Sequence, residues 1–114
     1  EYPNGTPQLK YKLVDGHREG LMQRWDEQGN LREETEYSRG RKQGMVTYYY
    51  SDGQKELEGY HILNRRAGMW RGWHEDGSQS FRSEYRDGEL YRWKQYRHDG
   101  TDQTYSRAKN RFGR

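Results

Sequence analysis

Cysteine is absent from this 114-residue chain, which excludes disulfides, thiolate metal ligands and thiol nucleophiles. No apolar run approaches the roughly 20 residues that a membrane-spanning helix needs. Aliphatic residues are too few to fill a thick two-layer core, because only 28% of the chain is hydrophobic whereas 34% is charged. The charge is also nearly balanced. Its 21 basic and 18 acidic residues leave a net charge of +3, a smaller excess than nucleic-acid-binding proteins usually show.

Aromatic residues oppose the disorder that such a composition would otherwise favour. They make up 15% of the chain, and each of them can bury a large apolar area. They recur in phase with glycine, which stands at positions 5, 29, 53, 77 and 100, a period of 24 that shortens once to 23. Four of these glycines follow an aromatic residue by four positions, namely Trp25, Tyr49, Trp73 and Tyr96. An internal repeat of this length predicts an array of similar small units.

Each repeat contains turn residues at two places. Most of the repeats carry a second glycine 11 residues after the first and a third glycine 4 residues later. Asparagine, which tolerates a positive φ, replaces the second glycine at position 64. Asp-Gly and Asn-Gly dipeptides are typical of tight hairpin turns. They occur here as Asn4-Gly5, Asp15-Gly16, Asp52-Gly53, Asp76-Gly77, Asp87-Gly88 and Asp99-Gly100.

The segments between these turns alternate in polarity. Leu9, Tyr11 and Leu13 are separated by lysines, and no segment keeps a helical period for three turns. The segment 31–37 has the weakest strand propensity and is assigned by analogy with its repeat partners. We therefore expect an all-β fold, a single-layer antiparallel β-meander built from about four to five hairpin repeats of 23–24 residues. The array would span residues 1–101, and residues 102–114 would form a C-terminal cap strand or a basic tail.

Equivalent residues of successive hairpins should stack about 9.6 Å apart, since neighbouring strands lie about 4.8 Å apart. We expect three stacked rows to form the core as one narrow spine. The first row is Trp25, Tyr49, Trp73 and Tyr96, and the second is Met22, Val46, Trp70 and Trp93. The third is Leu13, Tyr37, Tyr60 or His61, and Tyr85. The last repeat departs from the pattern, because Tyr91 stands where Gly20, Gly44 and Gly68 stand in the others.

The repeated phrases resemble the bacterial variant of the MORN repeat, some members of which are labelled antitoxin-like. The likeness covers residues 2–101. It is carried by the segments Tyr37–Gly44, Tyr49–Gly53 and Gly68–Gly77. The resemblance implies a twisted single-layer sheet that serves as a surface for binding proteins or phospholipids.

The turns predict a basic row facing an acidic row across the sheet. Cations follow the second glycine position as His17-Arg18, Arg41-Lys42 and Arg65-Arg66. Acids occupy the other edge at Asp26-Glu27, Asp52, Glu75-Asp76 and Asp99. Tyr48, Tyr50 and Tyr91 lie next to core positions and are expected to point to the opposite face, as anchors for a partner. The candidate partner-binding residues are Arg18, Arg41, Lys42, Arg65, Arg66, Tyr48, Tyr50 and Tyr91.

Catalytic and metal-binding patterns are missing from the sequence. The four histidines do not recur at ligand spacing, no serine lies in a nucleophile elbow, and no glycine-rich loop precedes a helix. The acids at 33, 34 and 36 are typical of a polar strand face. We expect no enzymatic activity, no cofactor, no metal and no small-molecule substrate. The basic C-terminal tail could add phosphate contacts, but the acidic row disfavours nucleic acid as a partner.

The sequence thus favours a non-enzymatic scaffold for protein–protein interaction, an accessory piece of a larger assembly. The alternative is peripheral binding to an anionic membrane or an envelope polymer through the basic row, where each cation contributes about 1 kcal/mol. A first residue other than methionine, the lack of cysteine and the dense surface charge slightly favour the bacterial periplasm, envelope or exterior over the cytoplasm. The identity of the compartment stays open.

Overall fold

The computed structural model describes residue 3, residues 8–97 and, as backbone, residues 102–107. Every regular element in this part of the chain is a β-strand. The strands are β1 (Leu9–Lys10), β2 (Leu13–Val14), β3 (His17–Arg18), β4 (Gly20–Trp25), β5 (Leu31–Ser38), β6 (Arg41–Tyr49), β7 (Lys55–Ile62), β8 (Arg65–Trp73), β9 (Gln79–Arg86), β10 (Glu89–Tyr96) and β11 (Asp102–Arg107). No helix suited to crossing a membrane occurs among these residues.

The strands form one open antiparallel sheet in the order β1-β4-β5-β6-β7-β8-β9-β10-β11, and β2 and β3 form a separate two-stranded ladder. That ladder continues the first hairpin, because Glu19 N–H donates to the Lys12 carbonyl and Trp25 N–H to the Gln8 carbonyl. The chain measures 48 × 35 × 16 Å along its principal axes, which is the shape of a single layer. The predicted β-meander of hairpins is confirmed.

Two kinds of turn alternate along the meander. The tight turns place two consecutive residues at positive φ, for example 52° at Asp15 and 80° at Gly16. Asn64 (71°) takes the glycine position in its turn, as its tolerance of this conformation predicts. The wider turns at the other edge also contain a glycine at positive φ. The predicted turns Asn4-Gly5 and Asp99-Gly100 lie outside the described residues, as do residues 108–114.

Strand alternation gives the sheet two distinct faces. We call one the Trp70 face. Its central row consists of Met22, Thr35, Val46, Gly59, Trp70, Ser83 and Trp93, one residue per strand from β4 to β10. The other is the Met69 face, which carries two parallel rows. They are Leu21, Glu36, Met45, Tyr60, Met69, Glu84 and Arg92, and Gln23, Glu34, Thr47, Glu58, Arg71, Arg82 and Lys94.

The core lies in the central row of the Trp70 face. Val46 and Trp70 are buried, with exposures of 1% and 2%, and every residue of the row except half-buried Trp93 is buried. Large and small side chains alternate along it. Gly59 leaves room for the Trp70 ring, since a Cβ at position 59 would lie 2.1 Å from Trp70 Cδ2. In this core, a large side chain on one strand therefore packs against a small residue on the next strand.

The predicted single spine is wrong, because its rows lie on both faces. Trp25 follows Met22 by three residues in the same strand, and an odd separation places two side chains on opposite faces. The Trp25 row is therefore half-buried on the Met69 face. Leu13 is 56% exposed and lies outside the core. The third row contains His61, which follows Tyr37 by one full repeat, whereas Tyr60 is exposed on the Met69 face.

Candidate binding surface

Three cations lie at the tight-turn edge of the Trp70 face, and two of them, Arg18 and Arg66, lie over aromatic rings. Each is the second member of a predicted basic pair and stands opposite a residue of the third core row. The pairs are Arg18 with Leu13, Lys42 with Tyr37, and Arg66 with His61. We call Arg18, Lys42 and Arg66, together with Tyr37, His61, Trp70 and Tyr85, the cation–ring row.

Arg66 is the most firmly positioned of these cations. Its guanidinium lies 4.5 Å from the Trp70 ring centroid and 5.5 Å from that of Tyr85. Its Nη1 also donates to the Tyr85 hydroxyl at 2.9 Å. None of these partners carries a negative charge, so the guanidinium is oriented without being neutralised. Cation–π contacts of this kind are worth about 0.5–1 kcal/mol at exposed sites.

Arg18 repeats the arrangement two units earlier. Its guanidinium lies 4.7 Å from the Tyr11 ring centroid and 5.4 Å from that of Tyr37. Nη1 lies 3.5 Å from the Tyr37 hydroxyl, a longer and weaker contact than the equivalent one made by Arg66. The two arginines therefore present similar charged groups two repeats apart on the same face.

His61 lies between these two arginines and is buried, with 8% of its surface exposed. Its ring meets Trp70 edge-on, with centroids 5.1 Å apart and planes at 87°. Its Nδ1 is buried without a hydrogen-bond partner among the described residues. Burial first, and then the charges of Lys42 and Arg66, lowers the pKa of His61 below its ordinary value. The imidazole is thus neutral at neutral pH.

Acidification is expected to destabilise the sheet through His61. The unfolded chain binds a proton at the ordinary histidine pKa near 6.5, whereas the folded chain binds it only at lower pH, so the free energy of unfolding should fall below about pH 6.5. His61→Tyr introduces the residue found at the equivalent positions 37 and 85, and it should remove this pH-dependent part of the free energy of unfolding. Urea unfolding of both proteins at about pH 7.5 and about pH 5.5 measures it. Equal pH dependence in the two proteins would contradict the assignment.

The first members of the basic pairs point to the other side of the sheet. Arg41 and Arg65 stand opposite Ser38 and Ile62, one residue away from Lys42 and Arg66, and therefore lie on the Met69 face. The Arg65 stem packs against the neighbouring turn, since a Cβ on Gly88 would lie 3.0 Å from Arg65 Cδ. The predicted basic row is thus divided between the two faces, and the Trp70 face keeps Arg18, Lys42 and Arg66.

The three predicted tyrosine anchors occupy different environments. Tyr48 shares the Trp70 face with Val46 and is half-buried; burial first, then the charge of Glu33, raises its pKa. Tyr50 follows β6, and its hydroxyl donates to the Trp73 carbonyl at 2.7 Å. Tyr91 lies at the register shift in β10, 3.7 Å beneath the Arg86 guanidinium. Of the three, Tyr48 lies on the same face as the cation–ring row.

Tyr48 and the cation–ring row border a shallow depression of about 430 Å³. Leu57 and the side of Trp70 supply its apolar lining. Its polar lining consists of Lys42, His61, Asn64 and Arg66 together with one acid, Glu56. A surface of this kind can bury an apolar group while presenting nitrogen donors to an acidic one. The sequence pattern missed His61 as a member, although its spacing of 24 residues from Tyr37 and Tyr85 was a usable signal.

The predicted acidic row stabilises the wide turns. Asp26 Oδ1 accepts the backbone N–H groups of Gln28 and Asn30 at 3.0 and 2.9 Å. Asp52 and Asp76 accept the backbone N–H two residues later in the same way. The backbone hydrogen bond from Asn30 is the main cause of the lowered pKa of Asp26. These three carboxylates act within their own turns.

Tyr49 and Glu34 illustrate how the Met69 face is held. The Tyr49 hydroxyl donates to Glu34 Oε1 at 2.7 Å, and Gln23 Nε2 donates to Glu34 Oε2 at 3.0 Å. Burial and the Glu34 carboxylate raise the pKa of Tyr49 to about 12. This network ties β4, β5 and β6 together on the side opposite the cation–ring row.

Solved structures show the same kind of fold within longer proteins. The chain superposes on TarM with a TM-score of 0.50 at 14% identity, covering 86% of this chain and 19% of that one. A mutant of S. aureus TarM in complex with fondaparinux, α-GlcNAc-glycerol and UDP gives a TM-score of 0.53 at 13% identity, with coverages of 88% and 20%. The GtfA/B complex bound to UDP and GlcNAc gives 0.38 at 16% identity, with coverages of 91% and 21%.

The likenesses to the two TarM structures concern the fold alone. The chain spans about a fifth of the length of the proteins it superposes on. No protein-family model and no curated protein sequence matches it. Among the described residues, no group of three or more His, Asp or Glu side chains is placed to hold a metal ion.

Proposed function

We propose that the chain is a MORN-like binding scaffold without catalytic activity of its own, and that the Trp70 face is its protein-binding surface. One observation carries the proposal. Arg66 is oriented by Trp70 and Tyr85, but no ion pair neutralises it within the part of the chain that the structure describes. Such an arginine can bind a carboxylate with little loss of side-chain entropy. Arginine on an aromatic platform is also the kind of residue that dominates protein interfaces.

The rest of the cation–ring row supports a protein partner. Lys42 and Arg18 extend the positive charge along the same edge, and the half-buried Tyr48 and Leu57 add apolar surface beside it. A partner with acidic and apolar side chains would match both features. A fold that makes up about a fifth of a longer chain in the TarM structures is consistent with an accessory unit of a larger assembly.

The test compares the amount of partner recovered by the natural chain with the amount recovered by a variant altered on the Trp70 face. Arg18→Gln, Lys42→Gln and Arg66→Gln together should weaken binding by about 100-fold or more, because each hydrogen bond to a charged group is worth about 1.5–3 kcal/mol. Quantitative mass spectrometry of pull-downs from native extract would identify the partner, and calorimetry with the purified partner would give the affinity.

The matched control removes the same number of charges at the same edge. Lys12→Gln, Arg41→Gln and Arg65→Gln together should leave partner recovery unchanged, because Arg41 and Arg65 lie on the Met69 face. Equal loss in both triple variants would contradict a face-specific site. Flotation of the chain with anionic vesicles at low salt, with no partner recovered, would favour the membrane alternative instead.

A further inference from the structure

The Met69 face carries an exposed apolar row that the binding site does not use. Leu21, Met45 and Met69 occupy the same position in three successive repeats, directly after the third glycine of each. They are 48%, 43% and 37% exposed, and Tyr60, which stands opposite Met45, is 39% exposed. Met45, Tyr60 and Met69 are therefore neighbours across strands β6 to β8, and Glu36 on β5 separates them from Leu21. Rows of this kind on a sheet face mark interaction surfaces.

Charge on the same face is separated into two halves. Strands β5 and β7 present the acids Glu34, Glu36 and Glu58. Strands β8 to β10 present Arg71, Arg82 and Lys94, which stand directly opposite one another in the register. Like charges opposite each other on neighbouring strands destabilise a sheet. The isolated chain thus carries a cost that an external acidic group would offset.

The acids of the same chain do not neutralise the two arginines of this basic half. Glu58 stands opposite Arg71, but its carboxylate pairs with Lys55 at 2.6 Å. Neither Arg71 nor Arg82 makes an ion pair with another of the described residues. The nearby Glu84 already binds Arg86 and Arg92, at 3.0 and 2.8 Å. An acidic group of another molecule can therefore supply the complementary charge.

We propose that the occupant is a second copy of this chain, packed face to face across a two-fold axis that runs parallel to the strands between β7 and β8. The second row of the Met69 face reads Gln23, Glu34, Thr47, Glu58, Arg71, Arg82, Lys94 from β4 to β10. The rotation reverses this order in the second copy. Glu58 then meets Arg71, the hydroxyl-bearing Thr47 meets Arg82, and Glu34 meets Lys94. A two-fold axis produces each of these contacts twice.

The same operation superposes the first row on itself. Tyr60 meets Met69 of the second copy at the centre, and Glu36 meets Arg92 further out. Between them Met45 meets Glu84, whose carboxylate is already paired with Arg86 and Arg92. A sheet of 48 × 35 Å offers ample surface for the roughly 800 Å² per partner of a standard interface. Both Trp70 faces would then point outward, and the dimer would present two copies of the cation–ring row. A bivalent scaffold of this kind gains avidity for a clustered partner.

Charge exchange between two chains tests the dimer. In sedimentation velocity at low salt, the natural chain should associate as its concentration rises, and high salt should weaken the association. Glu58→Lys and Arg71→Glu should each raise the dimer dissociation constant by about tenfold or more, since each replaces two attractive contacts with repulsive ones. An equimolar mixture of the two variants should restore the dimer, because the substituted side chains of the two chains then face each other with opposite charges.

Controls separate loss of the dimer from loss of the fold. Circular dichroism should show both variants folded, since Arg71 is exposed and Glu58 makes a surface ion pair. Arg71→Gln, which removes the charge without reversing it, replaces Arg71→Glu if the latter fails to fold, and it should also weaken the dimer. Lys12→Glu, outside the proposed interface, should associate like the natural chain. A natural chain that stays monomeric at its highest soluble concentration, or a mixture that does not associate, would overturn the proposal, whatever other partner the chain binds.

Discussion

Gly59→Ala should destabilise the protein by about 3 kcal/mol, the upper end of the range for overpacked sites. The added Cβ would lie 2.1–2.4 Å from three atoms of the Trp70 ring. That ring is 2% exposed and has its Nε1 donating to the Tyr60 carbonyl at 3.2 Å, so it cannot move aside without losing contacts. Chemical denaturation followed by tryptophan fluorescence measures the change.

A compensating substitution distinguishes crowding from a general effect of the added side chain. Gly59→Thr with Trp70→Val copies the buried pair Thr35 and Val46 one repeat earlier. The double variant should be more stable than the Gly59→Thr variant, with a coupling free energy of about 2 kcal/mol or more. If the effects of the two substitutions are additive, the Trp70 ring is not the reason why position 59 requires a small residue.

Gly72→Ala is the matched control for the same chemical change. Its Cβ would lie equally close, 2.1 Å, to Phe81 Cε1. Phe81 is only half-buried, however, and its ring can turn toward solvent. We expect about 1 kcal/mol of destabilisation at Gly72, clearly less than at Gly59.

Trp70→Ala should cost about 3–5 kcal/mol, the range for truncating a large buried aromatic side chain. The centroid of the Trp70 ring lies 5.1 Å from that of His61 and 6.2 Å from that of Tyr85. Loss of the ring leaves a cavity in the middle repeat. Trp93→Ala, in the same row but half-buried, should cost about 2 kcal/mol. Equal costs at the two positions would contradict a core centred on Trp70.

Trp70→Ala should also weaken partner binding, beyond its effect on folding. Arg66 loses the ring that lies 4.5 Å beneath it and would regain side-chain freedom. Binding measured well below the unfolding midpoint should therefore fall in Trp70→Ala but not in Trp93→Ala. If both variants bind the partner like the natural chain, the cation–ring row is not the binding surface.

Strand β5 shows how much of the fold the sequence alone predicts. Its first seven residues, Leu-Arg-Glu-Glu-Thr-Glu-Tyr, have poor strand propensity, yet the repeat spacing predicts a strand there. The structure forms that strand over Leu31–Ser38. Its stability comes from pairing with β4 and β6 on either side and from the fully buried Thr35. Repeat spacing therefore outweighs local propensity here.

The candidate site is less predictable. Adjacent members of a basic pair, such as Lys42 and Arg41, look equivalent in the sequence but lie on opposite faces. Tyr60 and His61 were both candidates for the third row. The 24-residue spacing favours His61, and the register with β6 and β8 places it in the core. The charge-separated rows of the Met69 face join residues from seven strands, which no local pattern reveals.

The amino-acid sequence by itself determined the repeat, the turn positions and the antiparallel meander, because glycine and asparagine at fixed intervals dictate where the backbone reverses. The tertiary structure decided which side chains share a face, which rings support a cation and where opposite charges fail to meet. Those properties depend on strand register and on irregularities such as the one at Tyr91. A shift of one residue exchanges the two faces, so they are settled only when all the strands pair.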